Sequence, residues 1–230
     1  MLTASKRLSK THPSEIPRIS EAFETTVTKR KRNHDIRNEN AILQHRQTED
    51  LSEKLIASHY ENNYGGAVKR LNAITAQLDS LDFVTAPVFV INGLKREELI
   101  ASNSMILHEL YFDSLGGECQ PDGDLRDALA RDFGTVEKWQ TQFAAIGKAL
   151  GGGSGWVLLT YSHRDKKLVN QWAADHTCCL AGASPILALD MYEHSYHMDY
   201  GAKAAAYVDA FMNNINWENV SALYRNHERA

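Results

Sequence analysis

Apolar positions recur at three-to-four spacing from Leu51 and Leu55 through Tyr64, Val68, Leu71, Ile74 and Leu78, which predicts an amphipathic helix. Gly65-Gly66 falls inside that stripe and weakens it by about 1 kcal/mol per glycine relative to alanine, so a bend or a close packing contact is expected there. A second helix is predicted over residues 95–115, stopped by Gly116-Gly117. Beyond Pro121-Asp122-Gly123 two more follow, over 124–132 and 135–150; the second opens on "TVEK", which resembles a capping box, and closes on three glycines. The pattern then changes to short apolar runs, "GWVLLTYS", "KLVNQWA" and "PILALD", read as three strands with "HRDKK" turning the first into the second. Helical spacing resumes in "GAKAAAYVDAFMNNI" and "WENVSALYRNH". No internal repeat stands out. Helices segregated from a small meander predict an α+β fold with a three-stranded antiparallel sheet.

Residues 1–47 lack this periodicity. They are rich in charge and in Ser, Thr and Asn, and carry the run Lys29-Arg30-Lys31-Arg32. A patch for nucleic acid or another anion, or an organelle-targeting segment, is one meaning of that run; the interspersed Glu15, Glu21 and Glu24 favour a solvated tail. The expected organisation is this tail, a helical segment over 48–117 and a mixed segment over 118–230.

Composition narrows the function. The 230 residues are 43% hydrophobic with a formal net charge of −4, which argues against a dedicated nucleic-acid or membrane-surface binder, since both partners reward an excess of Lys and Arg. No apolar run approaches the roughly 18 residues of a spanning helix, and the start carries no secretory apolar segment. Three cysteines, Cys119, Cys178 and Cys179, form no CxxC pair and no even framework, so a reducing cytoplasmic setting is expected. Ten histidines are conspicuous beside them.

The histidines matter by position. In "LALDMYEHSYHMDYG" an apolar run ends in Asp190, and His194 follows four residues later; a helix starting directly after the strand puts both on one face, where they can share an ion. Such a pair is more often a solvated hydrogen-bonded couple. His59 lies on the Leu55–Leu71 stripe, and His108 sits in the apolar "MILHELYF"; each alone reads best as a neutral core histidine bonded to a carbonyl. Together, three inward-facing imidazoles and a carboxylate on separate elements of one core form a donor set typical of a transition metal.

At this point four motifs in order resemble the iron/manganese superoxide dismutase family. "DMYEHSYHMDYGAKAAAYVDAFMNNINW" is similar to the family's DxWEHxYxxDY region, "SEKLIASHYENNYGGAVKRLN" and "LHELYFDSL" to its two other ligand helices, and "GSGWVLL" to its first strand. The likeness spans Leu51 to the end. It implies a helical hairpin followed by an α/β domain, one Fe or Mn ion per subunit held by His59, His108, Asp190 and His194, superoxide as substrate, and a homodimer or dimer of dimers. It also implies that Glu193 reaches a partner subunit's metal-binding histidine, and that His176 in "AADHTCC" hydrogen-bonds the solvent on the metal. Ser104, a small residue at the alternative location for that donor, is consistent with His176 in the role; a surface loop histidine is the plainer meaning.

The departures from the family cluster at the channel. Its tyrosine there aligns with Ala67, its gateway histidine with Asn63, its second EHxYY tyrosine with His197 and the tryptophan of DxWEH with Tyr192. Asn63 and His197 align with residues that meet across the family's dimer interface, which suggests the polar contact rebuilt in reverse. Loss of the tyrosine hydroxyl at Ala67 opens access to the ion and keeps a second function in view, a metal-holding relative with weak or altered turnover. A zinc hydrolase using the same donors is a third, although no general base apart from the ligands is evident.

Overall fold

The computed structural model describes residues 33–35, 48, 50–117 and 120–229. The expected tail over 1–47, including the basic run, lies outside the described residues except at 33–35. There the main chain of His34 is held by one side chain of the helical body: its N–H donates to Asn72 Oδ1 at 2.8 Å and its carbonyl accepts from Asn72 Nδ2 at 2.9 Å.

Ser52 begins the helical body. Its hydroxyl accepts from the Leu55 N–H at 3.1 Å and caps α1, Glu53–Ser58. Its own N–H and hydroxyl donate to the two carboxylate oxygens of Asp199 at 2.7 Å each, so the chain after the sheet is tied to the start of the first helix. The stripe predicted as one helix is three segments: α1, a π-helical turn over His59–Tyr64, and α2 over Gly65–Ser80. The wide turn carries His59, Tyr60 and Tyr64 on the buried side within a narrower arc than a regular 3.6 period gives over that spacing. The irregularity therefore lies just ahead of the glycine pair, and Gly66 has open space around it.

Helix α3 runs Val88–Asp113, starting well before the predicted residue 95. Pro87 precedes it, and Val88 and Phe89 in its first turn are exposed, so no apolar stripe marks that end. Asp122 caps α4, Gly123–Phe133, by accepting from the Leu125 N–H at 3.1 Å. Thr135 caps α5, Val136–Ala149, through the Lys138 N–H at 3.1 Å, as "TVEK" predicted.

The three predicted strands are β1, Trp156–Ser162, β2, Lys167–Ala173, and β3, Ala183–Asp190, in the antiparallel order β2-β1-β3. β1 is central and buried along its whole length, which is why it reads as a continuous apolar run. A 3₁₀ turn over Glu193–Ser195 and the short α6, His197–Tyr200, lead to α7, Ala204–Asn213, and α8, Trp217–Glu228. Helix α3 packs on β3, so the helical hairpin and the sheet meet along the strand that ends in Asp190. Among the described residues no helix is long and apolar enough to cross a membrane.

One glycine joins the sheet to the segment after it. Gly155 has φ +131°, and a Cβ there sits 2.1 Å from the Ala173 carbonyl oxygen. Its own carbonyl accepts from the N–H of Met191, the residue after Asp190, at 2.9 Å. Backbone strain combined with a clash against backbone cannot be relieved by a rotamer change. Gly155→Ala is therefore expected to lower stability by about 3 kcal/mol or more, read as the shift of a urea unfolding midpoint; an unchanged midpoint contradicts this account of the junction.

Candidate metal centre

Four side chains from four different elements converge. His59 comes from the π turn, His108 from the C-terminal part of α3, Asp190 from the last position of β3, and His194 from the 3₁₀ turn. One donor atom of each lies within 4.8 Å of every other. The Nε2 atoms of His59, His194 and His108 stand 3.1, 3.2 and 3.6 Å from a single atom, Asp190 Oδ2. His59, His108 and Asp190 are buried, and His194 is half-buried. Asp190 and His194 do not share a helix, contrary to the sequence expectation: Met191 and Tyr192 continue past the strand, and the 3₁₀ turn swings His194 back.

The supporting contacts fix how these groups point. Asp190 Oδ1 accepts from the Tyr192 N–H at 2.8 Å, which leaves Oδ2 for the imidazoles. The Asp190 carbonyl accepts from Tyr207 Oη at 2.8 Å, and Ser195 Oγ lies 2.8 Å from it and 2.7 Å from the Tyr192 carbonyl, with one proton to serve either. His108 Nδ1 is 2.6 Å from the Ser104 carbonyl. A carbonyl only accepts, so Nδ1 carries the hydrogen and Nε2 of the neutral ring presents its lone pair.

That lone pair creates a conflict that only a cation resolves. His108 Nε2 faces the negative Asp190 Oδ2 with no hydrogen between them, and Nε2 is a buried nitrogen without a hydrogen-bond partner among the described residues, as is His59 Nδ1. Protonating His108 does not help near neutral pH, because burial, reinforced by His59, holds its pKa at about 3. Burial likewise holds His59 below its ordinary value despite the Asp190 bond. For Asp190, burial alone raises the pKa, but the bonds from His194 and His59 outweigh it and keep the carboxyl ionised. A buried anion facing a neutral donor atom is costly unless a positive charge lies between them. Nitrogen and oxygen ligands bind small transition ions at about 2.0–2.2 Å, so the cluster needs only small adjustments to hold one ion. Three imidazoles and a carboxylate, with no thiolate, suit Fe, Mn or Zn.

A second layer surrounds the four. His176, Tyr192 and His194 form a stack, with ring centroids 4.9 and 5.5 Å apart and both interplanar angles 14°. Trp156 Nε1 donates to His176 Nδ1 at 3.0 Å, and Asn103 Nδ2 donates to its carbonyl at 2.5 Å. The strand register accounts for the first of these, because Trp156 pairs with Ala173, three residues before His176, and with Asp190 on its other side. Since Nδ1 accepts, the neutral His176 ring carries its hydrogen on Nε2. Burial first, then His194 and Arg70, hold its pKa below the ordinary value. Of the other residues singled out in the sequence, Ser104 and Ala67 are buried, Asn63 and Tyr192 half-buried, and Glu193 and His197 exposed in the single chain. Sequence reasoning missed Tyr207, Ser195, Trp156 and Asn103. Tyr207 and Trp156 lie in apolar runs that read as plain core, and nothing local marks their polar atoms as partners of the site.

Residues 121–223 match the family description "Iron/manganese superoxide dismutases, C-terminal domain". The chain is 74% identical over 174 residues to "Superoxide dismutase [Fe]" of Cupriavidus metallidurans, covering 76% of this chain and 88% of that protein. It is 32% identical over 182 residues to "Superoxide dismutase [Mn] 2" of Haloferax volcanii, covering 76% and 87%. It is also 32% identical over 184 residues to "Superoxide dismutase [Fe]" of Aquifex pyrophilus, covering 76% and 85%.

Tyr207 gives a direct test of how Asp190 is held. Tyr207→Phe removes the hydroxyl bonded to the Asp190 carbonyl and 3.3 Å from Tyr111 Oη, while Ser195 still serves the carbonyl. A loss of about 1 kcal/mol is expected by chemical denaturation; no loss at all contradicts a role for that bond.

Proposed function

Because the chain belongs to the iron/manganese superoxide dismutase family, we propose that it converts two superoxide anions and two protons to dioxygen and hydrogen peroxide at one Fe or Mn ion per subunit, held by His59, His108, Asp190 and His194. One observation carries this reading, the unprotonated His108 Nε2 set against the Asp190 carboxylate in a buried cluster. The 74% identical relative has iron in its name, which favours iron here.

An ion held by these four residues would supply one-electron redox chemistry between two superoxide anions. The chain supplies the rest. The bonds from His108 Nδ1–H to the Ser104 carbonyl and from the Tyr192 N–H to Asp190 hold two ligands in their binding orientation before any ion arrives, and such outer contacts typically set affinity by 10–100-fold. Trp156, Tyr111 and Phe112 lie against the imidazoles at centroid distances of 5.0–5.3 Å, and this apolar wall excludes water from the donors. With its Nδ1 accepting from Trp156, His176 keeps its Nε2–H to donate to a small oxygen species and to hold the proton the product needs. Arg70, paired with Glu97, contributes positive charge felt at His176 and draws an anionic substrate inward.

The assembly belongs to the same proposal. Glu193 is exposed in the single chain and adjoins His194, a placement consistent with a carboxylate reaching the partner's metal-binding imidazole in a homodimer or dimer of dimers, with the helical half over 48–117 and the mixed half over 118–230 sharing each ion. Asn63 and His197 then rebuild a polar contact across that interface. The cysteine usage supports a cytoplasmic setting.

Ala67 favours one alternative. It is buried on α2 and brings no hydroxyl to the channel, so a metal-loaded protein with weak turnover is the competing reading. Elemental analysis and a superoxide-consumption assay on the same purified sample separate the two. One Fe or Mn per chain with fast consumption is expected; full occupancy with a negligible rate selects the alternative, and zinc rejects both. Asp190→Asn is expected to lose the ion by more than the 10–100-fold that an outer contact costs, together with the activity, and retention of a full complement of metal contradicts the assigned ligand set.

A further inference from the structure

The loop between β2 and β3, residues 174–182, carries two adjacent thiols that the metal centre does not use. Asp175 to Cys178 form a tight turn: the Cys178 N–H donates to the Asp175 carbonyl at 3.3 Å, and Asp175 Oδ1 accepts from Thr177 N at 2.7 Å and Thr177 Oγ1 at 2.5 Å. The half-buried Cys178 adds a third donor to that same oxygen, its Sγ lying 3.7 Å away, while Cys179 is exposed. Gln171 brackets the exposed residue, with Nε2 donating to the Cys178 carbonyl at 3.1 Å and Oε1 accepting from the Leu180 N–H at 3.0 Å. Two residues before Cys178 in this turn is His176, which stacks on Tyr192. The dithiol therefore stands on the loop that borders the site where hydrogen peroxide forms.

We propose that Cys178 and Cys179 are a peroxide-oxidised dithiol that closes to a reversible disulfide between neighbouring residues. The supply of oxidant rests on the dismutase reading above, since peroxide is that reaction's product. The exposed Cys179, as thiolate, attacks one peroxide oxygen; the O–O bond breaks, hydroxide leaves, and Cys179 becomes a sulfenic acid. Cys178 sulfur then attacks Cys179 sulfur and expels its hydroxyl, which departs as water with the Cys178 proton. Two thiols lose two electrons, one peroxide gains them, and two waters form. Closure turns the peptide joining the two residues, whose carbonyl is the group bonded by Gln171, so it breaks that bond and loosens the loop. Adjacent Cα atoms are about 3.8 Å apart, short of the roughly 4.4–6.8 Å usual for a disulfide, so the bridge is strained and readily reduced.

The test treats the full-length protein with reagent hydrogen peroxide, quenches with an alkylating agent and reads intact and peptide masses. The expected result is a loss of two hydrogens, alkylatable thiols falling from three to one, the bridge located within the Cys178–Cys179 peptide, and full reversal by dithiothreitol. Cys178→Ser, or Cys178→Ala if the serine variant folds poorly, should stop Cys179 at a dimedone-reactive sulfenic acid, and Cys179→Ser should abolish the mass loss. Three thiols surviving, a bridge to Cys119 or to another chain, or sulfinic acid at Cys179 beside a free Cys178 each overturns the assignment. A superoxide source given to metal-loaded protein should form the same bridge, with catalase suppressing it. If reagent peroxide closes the bridge and the metal-loaded protein consumes superoxide no faster than the uncatalysed reaction, the dithiol assignment stands and the dismutase reading falls.

Discussion

The architecture turns on one contact between like partners: the lone pair of His108 Nε2 set 3.6 Å from the negative Asp190 Oδ2, both side chains buried. The Ser104 carbonyl commits the imidazole hydrogen to the far nitrogen, and Tyr192 occupies the other carboxylate oxygen, so neither group can turn away from the conflict. His59 and His194 aim at the same oxygen from two further elements. A protein without a cation here holds a buried anion against a lone pair, and the ion converts that repulsion into coordination.

Much of the fold serves to keep that geometry. β1 lies between β2 and β3 and sets Trp156 opposite Asp190, so a single register fixes both the carboxylate and the tryptophan that orients His176. Gly155 allows the chain to turn tightly beside Ala173 and bonds the residue that follows Asp190. The π turn makes room for His59 beside Tyr60 and Tyr64 on the inward side. Asp199 ties the segment after His194 back to the cap of α1. Each device joins parts of the chain distant in sequence, so the donors are held by the folded body and not by any one helix.

What was legible in the sequence follows from the range over which each signal acts. The capping threonine of α5, the three strands and the apolar stripe around His59 are local patterns, and the structure contains them. The π turn was not legible, because one residue of extra winding leaves the apolar spacing nearly unchanged. The first turn of α3 was missed because Val88 and Phe89 are exposed and give no periodicity. Asp190 and His194 were expected to meet on a helix; they meet through a 3₁₀ turn, and spacing alone does not separate the two geometries. The four donors were legible singly as inward polar residues and jointly through the family resemblance. Their outer partners Tyr207 and Ser195, and Asn103 behind His176, were not, since a tyrosine in an apolar helix reads as core until the chain is folded.

X-ray absorption at the metal edge of the purified protein probes the convergence most directly. The account predicts a nitrogen and oxygen shell at about 2.0–2.2 Å, with outer-shell scattering from three imidazole rings and no sulfur. A sulfur neighbour, or scattering from a single imidazole, contradicts the placement of one ion among His59, His108, Asp190 and His194.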